Sequence, residues 1–169
     1  MNRRILFATV FVLSLIGDQL VKVWARGAMN VGGSVDGLPW PGVFEVTLSY
    51  NKGVAFGMLQ GFGVLLAPVA IVIAFIAWRH SWRNPNEGRW IHIALALLAS
   101  GALGNLYDRL FHHQVTDMFS FKLINFPIFN VADACITVAA GMLILRWLKE
   151  PKDNAKPASL ETPAEDLRS

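Results

Sequence analysis

Residues 90–109 read WIHIALALLASGALGNLYDR, an apolar run that ends in Asn105, Asp108 and Arg109. Its part from Trp90 to Tyr107 is close to the roughly 20 helical residues that cross about 30 Å of hydrocarbon. Three further stretches have the same character, and they run from Ile5 to Trp24, from Phe62 to Trp78 and from Val131 to Leu148. The sequence therefore predicts an all-α polytopic membrane protein with four transmembrane helices.

The composition agrees with a membrane protein. Of the 169 residues, 54% are hydrophobic and only 16% are charged, whereas a soluble domain has roughly 25% charged residues. A single cysteine and a mean hydropathy of +0.43 exclude a disordered chain, a disulfide scaffold and a cysteine-liganded zinc protein. The net charge is +3, but the basic residues lie between the apolar runs. We therefore predict no nucleic-acid partner.

Basic residues precede the first apolar stretch, separate the second from the third and follow the fourth. They are Arg3, Arg4, Arg79, Arg83, Arg89, Arg146, Lys149, Lys152 and Lys156. The positive-inside rule then predicts that both termini lie in the cytoplasm. The start of the chain also resembles a cleavable signal peptide, but no small-x-small cleavage site follows, so we interpret it as the first span.

We expect one domain over residues 1–150 and a disordered cytoplasmic tail over 151–169, which is rich in charged residues and proline. The outer segment at about 29–60 includes VFEVTLSY at 43–50, a β-prone stretch. It predicts a small extramembrane β-sheet on the outer face. A second outer loop is expected at about 108–130.

Ionisable side chains in or beside a span are costly unless they are paired or hydrated, so each is a functional hypothesis. Asp18 lies in the outer half of the first span, Asp108 ends the third, Asp133 begins the fourth, and Asp117 lies in the second outer loop. The four carboxylates are thus expected to gather on one side of the membrane.

Small and polar residues also recur at helical spacing. One stripe comprises Gly101, Asn105, Asp108 and Arg109, and another comprises Asp133, Thr137 and Gly141. Such stripes are expected to face neighbouring helices. We interpret Gly101 and Gly104 as packing positions.

Some of these residues also have purely structural interpretations. Asp18 and Lys22 form an i,i+4 pair that can neutralise itself. Asn130 followed by Asp133 is typical of a helix N-cap with an acidic third residue.

Other reactive side chains give weaker signals. His112 and His113 are adjacent, which is a poor spacing for metal ligands, and no serine lies in a nucleophile elbow. Cys135 is interpreted as a small core residue. We therefore predict neither a metal nor a cofactor.

Asp117 and Asp133 remain as a pair that can do acid–base chemistry. Two carboxylates held close together cannot both ionise readily, so one keeps a proton while the other is a base at neutral pH. This division suits peptide hydrolysis, in which the base activates water and the acid protonates the scissile carbonyl oxygen. The dipole of the fourth helix favours Asp133 as the base, but the pair titrates as a unit and either assignment stays open.

The sequence resembles the lipoprotein signal peptidases, also called signal peptidase II. Five blocks in order carry the resemblance: DQLVK at 18–22, NKGVAFG at 51–57, GALGNLYDR at 101–109, VTD at 115–117 and FNVAD at 129–133. The resemblance implies an intramembrane aspartyl endopeptidase of the bacterial inner membrane. Such an enzyme removes signal peptides from diacylglyceryl-modified prolipoproteins and cuts just before the lipidated cysteine.

The resemblance also implies site residues. Asp117 and Asp133 match the catalytic pair. The positions that match substrate-binding and supporting residues are Asn51, Gly53, Asn105, Asp108, Arg109, Asn130, Asp18 and Lys22. Prolipoproteins and membrane lipids are the expected partners, and we expect a monomer.

Two other functions fit the same carboxylates. A small proton-coupled transporter would use them as relays, although it would distribute acidic residues across the depth of the bundle. A non-catalytic lipoprotein-binding factor would hold the substrate without turnover.

Overall fold

The computed structural model describes residues 2–40, 42–53, 66–124 and 126–149. In chain order the elements are α1 (Arg3–Ala28), β1 (Ser34–Trp40), β2 (Phe44–Asn51), α2 (Ala67–Arg83), α3 (Arg89–His112), β3 (Val115–Phe121) and α4 (Val131–Lys149). The predicted tail at 151–169 and the predicted start of the second span at Phe62 lie outside the described residues.

Three of the described helices, α1, α3 and α4, are long and apolar enough to cross a membrane. The described part of α2 has 17 residues. Large apolar side chains on the outer faces of the bundle are exposed, among them Leu13, Ile76 and Leu145. In a chain of this composition, such faces are suited to lipid. The protein is therefore a mostly helical multi-pass membrane protein, whereas the count of four spans and their direction stay predictions.

Helix α3 lies at the centre of the bundle and packs against α1, α2 and α4. Its glycines allow the close approach. A Cβ on Gly101 would lie 2.5 Å from the backbone oxygen of Ala132, and one on Gly104 would lie 2.6 Å from Oδ2 of Asp18. The packing role predicted for both glycines is confirmed.

The second predicted stripe, on α4, is wrong beyond its first residue. Thr137 is exposed, and a Cβ on Gly141 would meet no atom within 4 Å. Helix α4 instead buries Ala132 and Ala139. At about 100° per residue, Ala132 and Ala139 share one face of the helix, and that face lies on the far side from Thr137 and Gly141.

The three strands form an antiparallel sheet in the order β1-β2-β3. The predicted sheet at 43–50 is confirmed, but Asp117 lies in β3 and not in a loop, opposite Ser49 of β2. Strand β3 is rich in β-branched and aromatic residues, and β2 offers it a backbone partner. Met118 packs with Ala25 of α1, so the sheet is fixed to the end of that helix.

Candidate active site

The first turn of α4 is held by a reciprocal cap. The backbone N–H of Asp133 donates to Oδ1 of Asn130 at 2.9 Å, and the backbone N–H of Asn130 donates to Oδ2 of Asp133 at 3.2 Å. This arrangement confirms the predicted N-cap, and it fixes the Asp133 carboxylate at the helix start. Asn130 is completely buried.

Two amide side chains connect Asp133 to Asp117. Nδ2 of Asn130 donates to Oδ1 of Asp117 at 2.7 Å and to Oδ1 of Asn105 at 3.1 Å. Nδ2 of Asn105 donates to Oδ1 of Asp133 at 2.8 Å. The two aspartates, far apart in sequence, are therefore held in one network by Asn105 and Asn130.

A buried lysine supports this network from α1. Nζ of Lys22 lies 2.9 Å from Oδ2 of Asp18, 3.0 Å from Oδ1 of Asn105 and 3.4 Å from Oδ2 of Asp108. Oδ1 of Asp18 accepts the backbone N–H of Ala132 at 2.9 Å. The predicted Asp18–Lys22 pair is confirmed, but its contacts extend to α3 and α4, so it does more than neutralise itself.

The orientation of both amides follows from groups that can only donate. Lys22 and the backbone N–H of Asp133 have no acceptor to offer, so each must face an amide oxygen. The NH₂ groups of Asn105 and Asn130 are thereby turned toward Asp133 and Asp117. Each aspartate thereby receives one hydrogen bond from an asparagine side chain.

Arg26 is a part of the network that sequence reasoning missed. Its Nη1 lies 3.5 Å from Oδ1 of Asp108 and donates to Oγ1 of Thr116 at 2.8 Å. The backbone N–H of Thr116 donates to Oδ2 of Asp108 at 2.9 Å. The signal was present in the sequence, because Asp18, Lys22 and Arg26 recur every four residues on one face of α1.

A cavity of about 220 Å³ opens beside the two aspartates. Its described lining consists of Asn51, Asn105, Arg109, Val115, Asp117, Phe126, Pro127, Ile128, Phe129 and Asp133. The side chain of Arg109 connects α3 to the segment after β2. Its Nη1 donates to the Asn105 carbonyl at 3.3 Å, and its Nη2 lies 3.5 Å from the carbonyl oxygen of Gly53. The backbone N–H of Gly53 donates to Oδ1 of Asn51 at 2.9 Å.

The structure thus divides the predicted site residues into two groups. Asn51, Asn105, Arg109, Asp117 and Asp133 line the cavity. Asp18, Lys22, Asp108 and Asn130 are buried in the network behind it. Gly53 contacts the first group through its backbone.

The Asp117 carboxyl is only 3% exposed. Burial, followed by the neighbouring charge of Asp133, raises the pKa of Asp117 to about 7. A carboxyl with this pKa is half protonated at neutral pH, so it can donate a proton there.

The other reactive side chains lie away from the cavity. His112 and His113 are exposed at the end of α3, and Cys135 is half-buried on α4. Within the described ranges, no three His, Cys, Asp or Glu residues are grouped as metal ligands. The described cavity lining offers only the two carboxylates as acids or bases.

Comparison with known proteins gives a consistent result. A family model described as Signal peptidase (SPase) II matches residues 10–149. A protein of Brucella ovis named lipoprotein signal peptidase is 36% identical over 160 residues, which cover 89% of this chain and 98% of that protein. One of Gloeobacter violaceus with the same name is 33% identical over 147 residues, or 87% of this chain and 84% of that protein.

Solved structures agree. A bacterial membrane enzyme determined at 2.3 Å resolution by the in meso method superposes with a TM-score of 0.79 at 27% identity, covering 89% of this chain and 92% of that one. A second, at 1.9 Å resolution, gives a TM-score of 0.76 at 28% identity, covering 85% of this chain and 93% of that one.

Proposed function

This chain belongs to the signal peptidase (SPase) II family, and from that premise we propose how it removes signal peptides from prolipoproteins. The proposal is that Asp117 and Asp133 form an aspartyl catalytic dyad. The observation that carries it is the amide network that connects the two carboxylates beside one cavity.

In the proposed reaction, Asp133 is the base and Asp117 is the acid. Asp133 takes a proton from a water, and the water oxygen attacks the scissile carbonyl carbon. Asp117 gives its proton to the carbonyl oxygen, which leaves a neutral tetrahedral intermediate. Asp133 then passes its proton to the amide nitrogen, the C–N bond breaks, and Asp117 recovers its proton from the collapsing hydroxyl group.

Two features support this assignment of roles. The raised pKa of Asp117 keeps a proton available near neutral pH. Asp133 lies in the first turn of α4, at the positive end of the helix dipole, and its Oδ2 accepts the backbone N–H of Asn130.

The substrate is proposed to enter as an extended segment along the cavity. Polar side chains, Asn51 and Arg109, line the cavity together with the apolar segment 126–129. The polar side suits hydrogen bonds to the peptide backbone, and the apolar side suits apolar side chains near the scissile bond. We propose that cleavage occurs just before a diacylglyceryl-modified cysteine.

The membrane arrangement is part of the same proposal. Four spans with both termini in the cytoplasm would place the dyad and the sheet at the outer face of the bacterial inner membrane. A signal peptide inserted with its positive end inside would bring its cleavage site to that face. We propose that the enzyme acts as a monomer, with residues 1–150 as the catalytic domain.

The test is incubation of the purified protein with a diacylglyceryl-modified prolipoprotein, followed by a gel shift. Wild-type protein is expected to cleave, whereas Asp117→Asn and Asp133→Asn are expected to insert, fold and fail to cleave. Cys135→Ala serves as the control variant and should cleave normally. Substantial cleavage by either asparagine variant would overturn the dyad.

Two further arms of the test separate the rival functions. Activity lost to a chelator and restored by zinc would point to His112 and His113 instead. Binding of the prolipoprotein without turnover by folded wild-type protein would favour a binding factor. Proton flux into vesicles without peptidase activity would favour a transporter.

A further inference from the structure

One end of the sheet carries a compact group of exposed apolar side chains, here called the sheet tip. Its members are Trp40, Val43, Phe121, Leu123, Ile124 and Phe126, which are 66%, 40%, 40%, 71%, 60% and 46% exposed. We propose that the sheet tip inserts into the lipid leaflet beside the cavity and anchors the sheet to the membrane surface.

The sheet tip is a single surface because its members come from paired backbone. Trp40 lies opposite Phe44, and Phe44 lies opposite Phe121. The backbone N–H of Lys122 donates to the carbonyl of Val43 at 2.9 Å. The exposed side chains of the two turns are therefore neighbours in space.

Aromatic packing ties the sheet tip to the start of α4. The ring centroids of Phe121 and Phe126 are 5.9 Å apart, and those of Phe126 and Phe129 are 5.7 Å apart. Phe129 also exchanges backbone hydrogen bonds with Phe119 at 2.8 and 3.0 Å. The sheet tip is thus held in a fixed position relative to a helix long and apolar enough to span the membrane.

This position puts lipid within reach. Phe126 precedes the first residue of α4 by five residues, and five residues extend at most about 17 Å. The end of a spanning helix marks the boundary between hydrocarbon and headgroups, so Phe126 lies within about 17 Å of that boundary.

The chemistry of the sheet tip favours lipid over a protein partner. A contiguous exposed apolar patch is typical of membrane or protein contacts, and aromatic residues are enriched at the membrane interface. The charged residue in the turn, Lys122, lies 3.2 Å from Glu45, so the pair has little net charge. Among the described residues, the side chains that make up the sheet tip are all apolar, which suits a lipid leaflet.

Anchoring would have a consequence for the site. Strand β3 carries Asp117 at its centre and the sheet tip at its end, and Phe126 belongs to both the sheet tip and the cavity lining. Lipid contact at this end would hold the cavity mouth at a fixed depth.

The test measures the depth of one side chain. In a Cys135→Ala background, Leu123→Cys is labelled with an environment-sensitive fluorophore, and the protein is reconstituted into vesicles of phosphatidylethanolamine and phosphatidylglycerol. Quenching is measured with iodide in the water and with a doxyl group on the upper acyl chain of added phosphatidylcholine. Leu145→Cys on α4 and Asn86→Cys in the α2–α3 loop are the lipid and water references.

The label at position 123 is expected to be quenched by doxyl lipid about as strongly as the label at 145. Its iodide quenching should be several-fold weaker than at 86. A label at 123 that is quenched like the one at 86 would overturn the anchor. The same result is expected if the sheet tip instead binds another protein, because the vesicles contain no other protein. The outcome is independent of cleavage, so an inactive dyad with a lipid-quenched sheet tip would contradict only the catalytic proposal.

Discussion

The ammonium of Lys22 lies 3.0 Å from Oδ1 of Asn105, on the opposite side of the amide from the NH₂ group that contacts Asp133. Because a lysine can only donate, it prevents the Asn105 amide from presenting its oxygen to the Asp133 carboxylate. Together with Nδ2 of Asn130, which donates to the same oxygen at 3.1 Å, a charge buried in α1 thereby helps to fix a hydrogen bond on the proposed base.

Replacing Lys22 with methionine is therefore expected to lower kcat more than it raises KM. A hydrogen bond to a charged group contributes ~1.5–3 kcal/mol, which corresponds to a roughly 10- to 100-fold loss of rate. Steady-state cleavage of a lipidated substrate measures both constants. Gln19→Met is the matched control, because Gln19 contacts the same Asp18 and Gly104 atoms without a described contact to Asn105.

A loss of activity in Lys22→Met must be distinguished from a folding defect, because the substitution removes the positive charge that pairs with the buried Asp18 carboxylate. Adding Asp18→Asn restores the charge balance and is expected to restore the melting temperature but not kcat. If the double variant recovers full activity, Lys22 does no more than neutralise Asp18.

The pH dependence of cleavage follows from the raised pKa of Asp117. If Asp117 is the acid, its protonated form is lost above about pH 7, and kcat should fall about tenfold for each further pH unit. The charges of Asp133 and Asp108 raise this pKa and that of Lys22 lowers it. The descending limb should thus move to higher pH in Lys22→Met. A rate that stays constant from pH 7 to pH 9 would contradict the acid role.

The same shift predicts that Asp117 is costly for stability. Its pKa rises from an ordinary value of 3.8 to about 7 on folding. The stability it contributes is full below pH 3.8 and is lost as the pH rises through 7, a loss of up to about 4 kcal/mol. Asp117→Asn does not titrate, so it should melt above wild type at pH 8, and this advantage should shrink toward pH 5.

A carboxyl group whose pKa is shifted in the opposite direction provides a control for this prediction. The pKa of Glu45 is lowered by the backbone N–H of Gly42 and by Lys122. Glu45→Gln should therefore lose a little stability relative to wild type at pH 8, and this loss should shrink only as the pH falls below the ordinary value of 4.5 and through the lowered pKa of Glu45. Equal responses of the two variants would show that the pH effect is not local to Asp117.

Much of this arrangement could be predicted from the sequence. A charged side chain in an apolar run is energetically unfavourable unless it is paired or hydrated, so its position in the sequence already indicates a site. The sequence indicated the helices, the cap of α4 and the clustering of Asp18, Asp108, Asp117 and Asp133. Strand β3 was missed because its partner β2 is 64 or more residues earlier in the chain, and a strand depends on that partner as much as on propensity.

The packing faces were harder to predict. A four-residue repeat of small and polar residues marks a stripe on a helix, but only the neighbouring helix decides which side of the helix is buried. On α3, Gly101, Asn105 and Asp108 of the predicted stripe are buried, whereas on α4 the buried face lies roughly opposite Thr137 and Gly141.

This difference gives a matched pair of glycine substitutions. In Gly101→Ala the new methyl group would lie 2.5 Å from the Ala132 backbone oxygen and 2.7 Å from Cγ1 of Ile136, so α3 and α4 must separate. Such overpacking costs typically ~1–3 kcal/mol. The separation also disturbs the hydrogen bond between Asn105 and Asp133, so the melting temperature and kcat should both fall.

Gly141→Ala adds the same methyl group to the same pair of helices where nothing lies within 4 Å. Alanine also favours a helix over glycine by about 1 kcal/mol. Its melting temperature should therefore equal or exceed that of the wild type, with normal cleavage. If instead Gly141→Ala were the damaging variant, the α3–α4 contact would involve the predicted stripe of Asp133, Thr137 and Gly141, and the geometry of the proposed dyad would have to be revised with it.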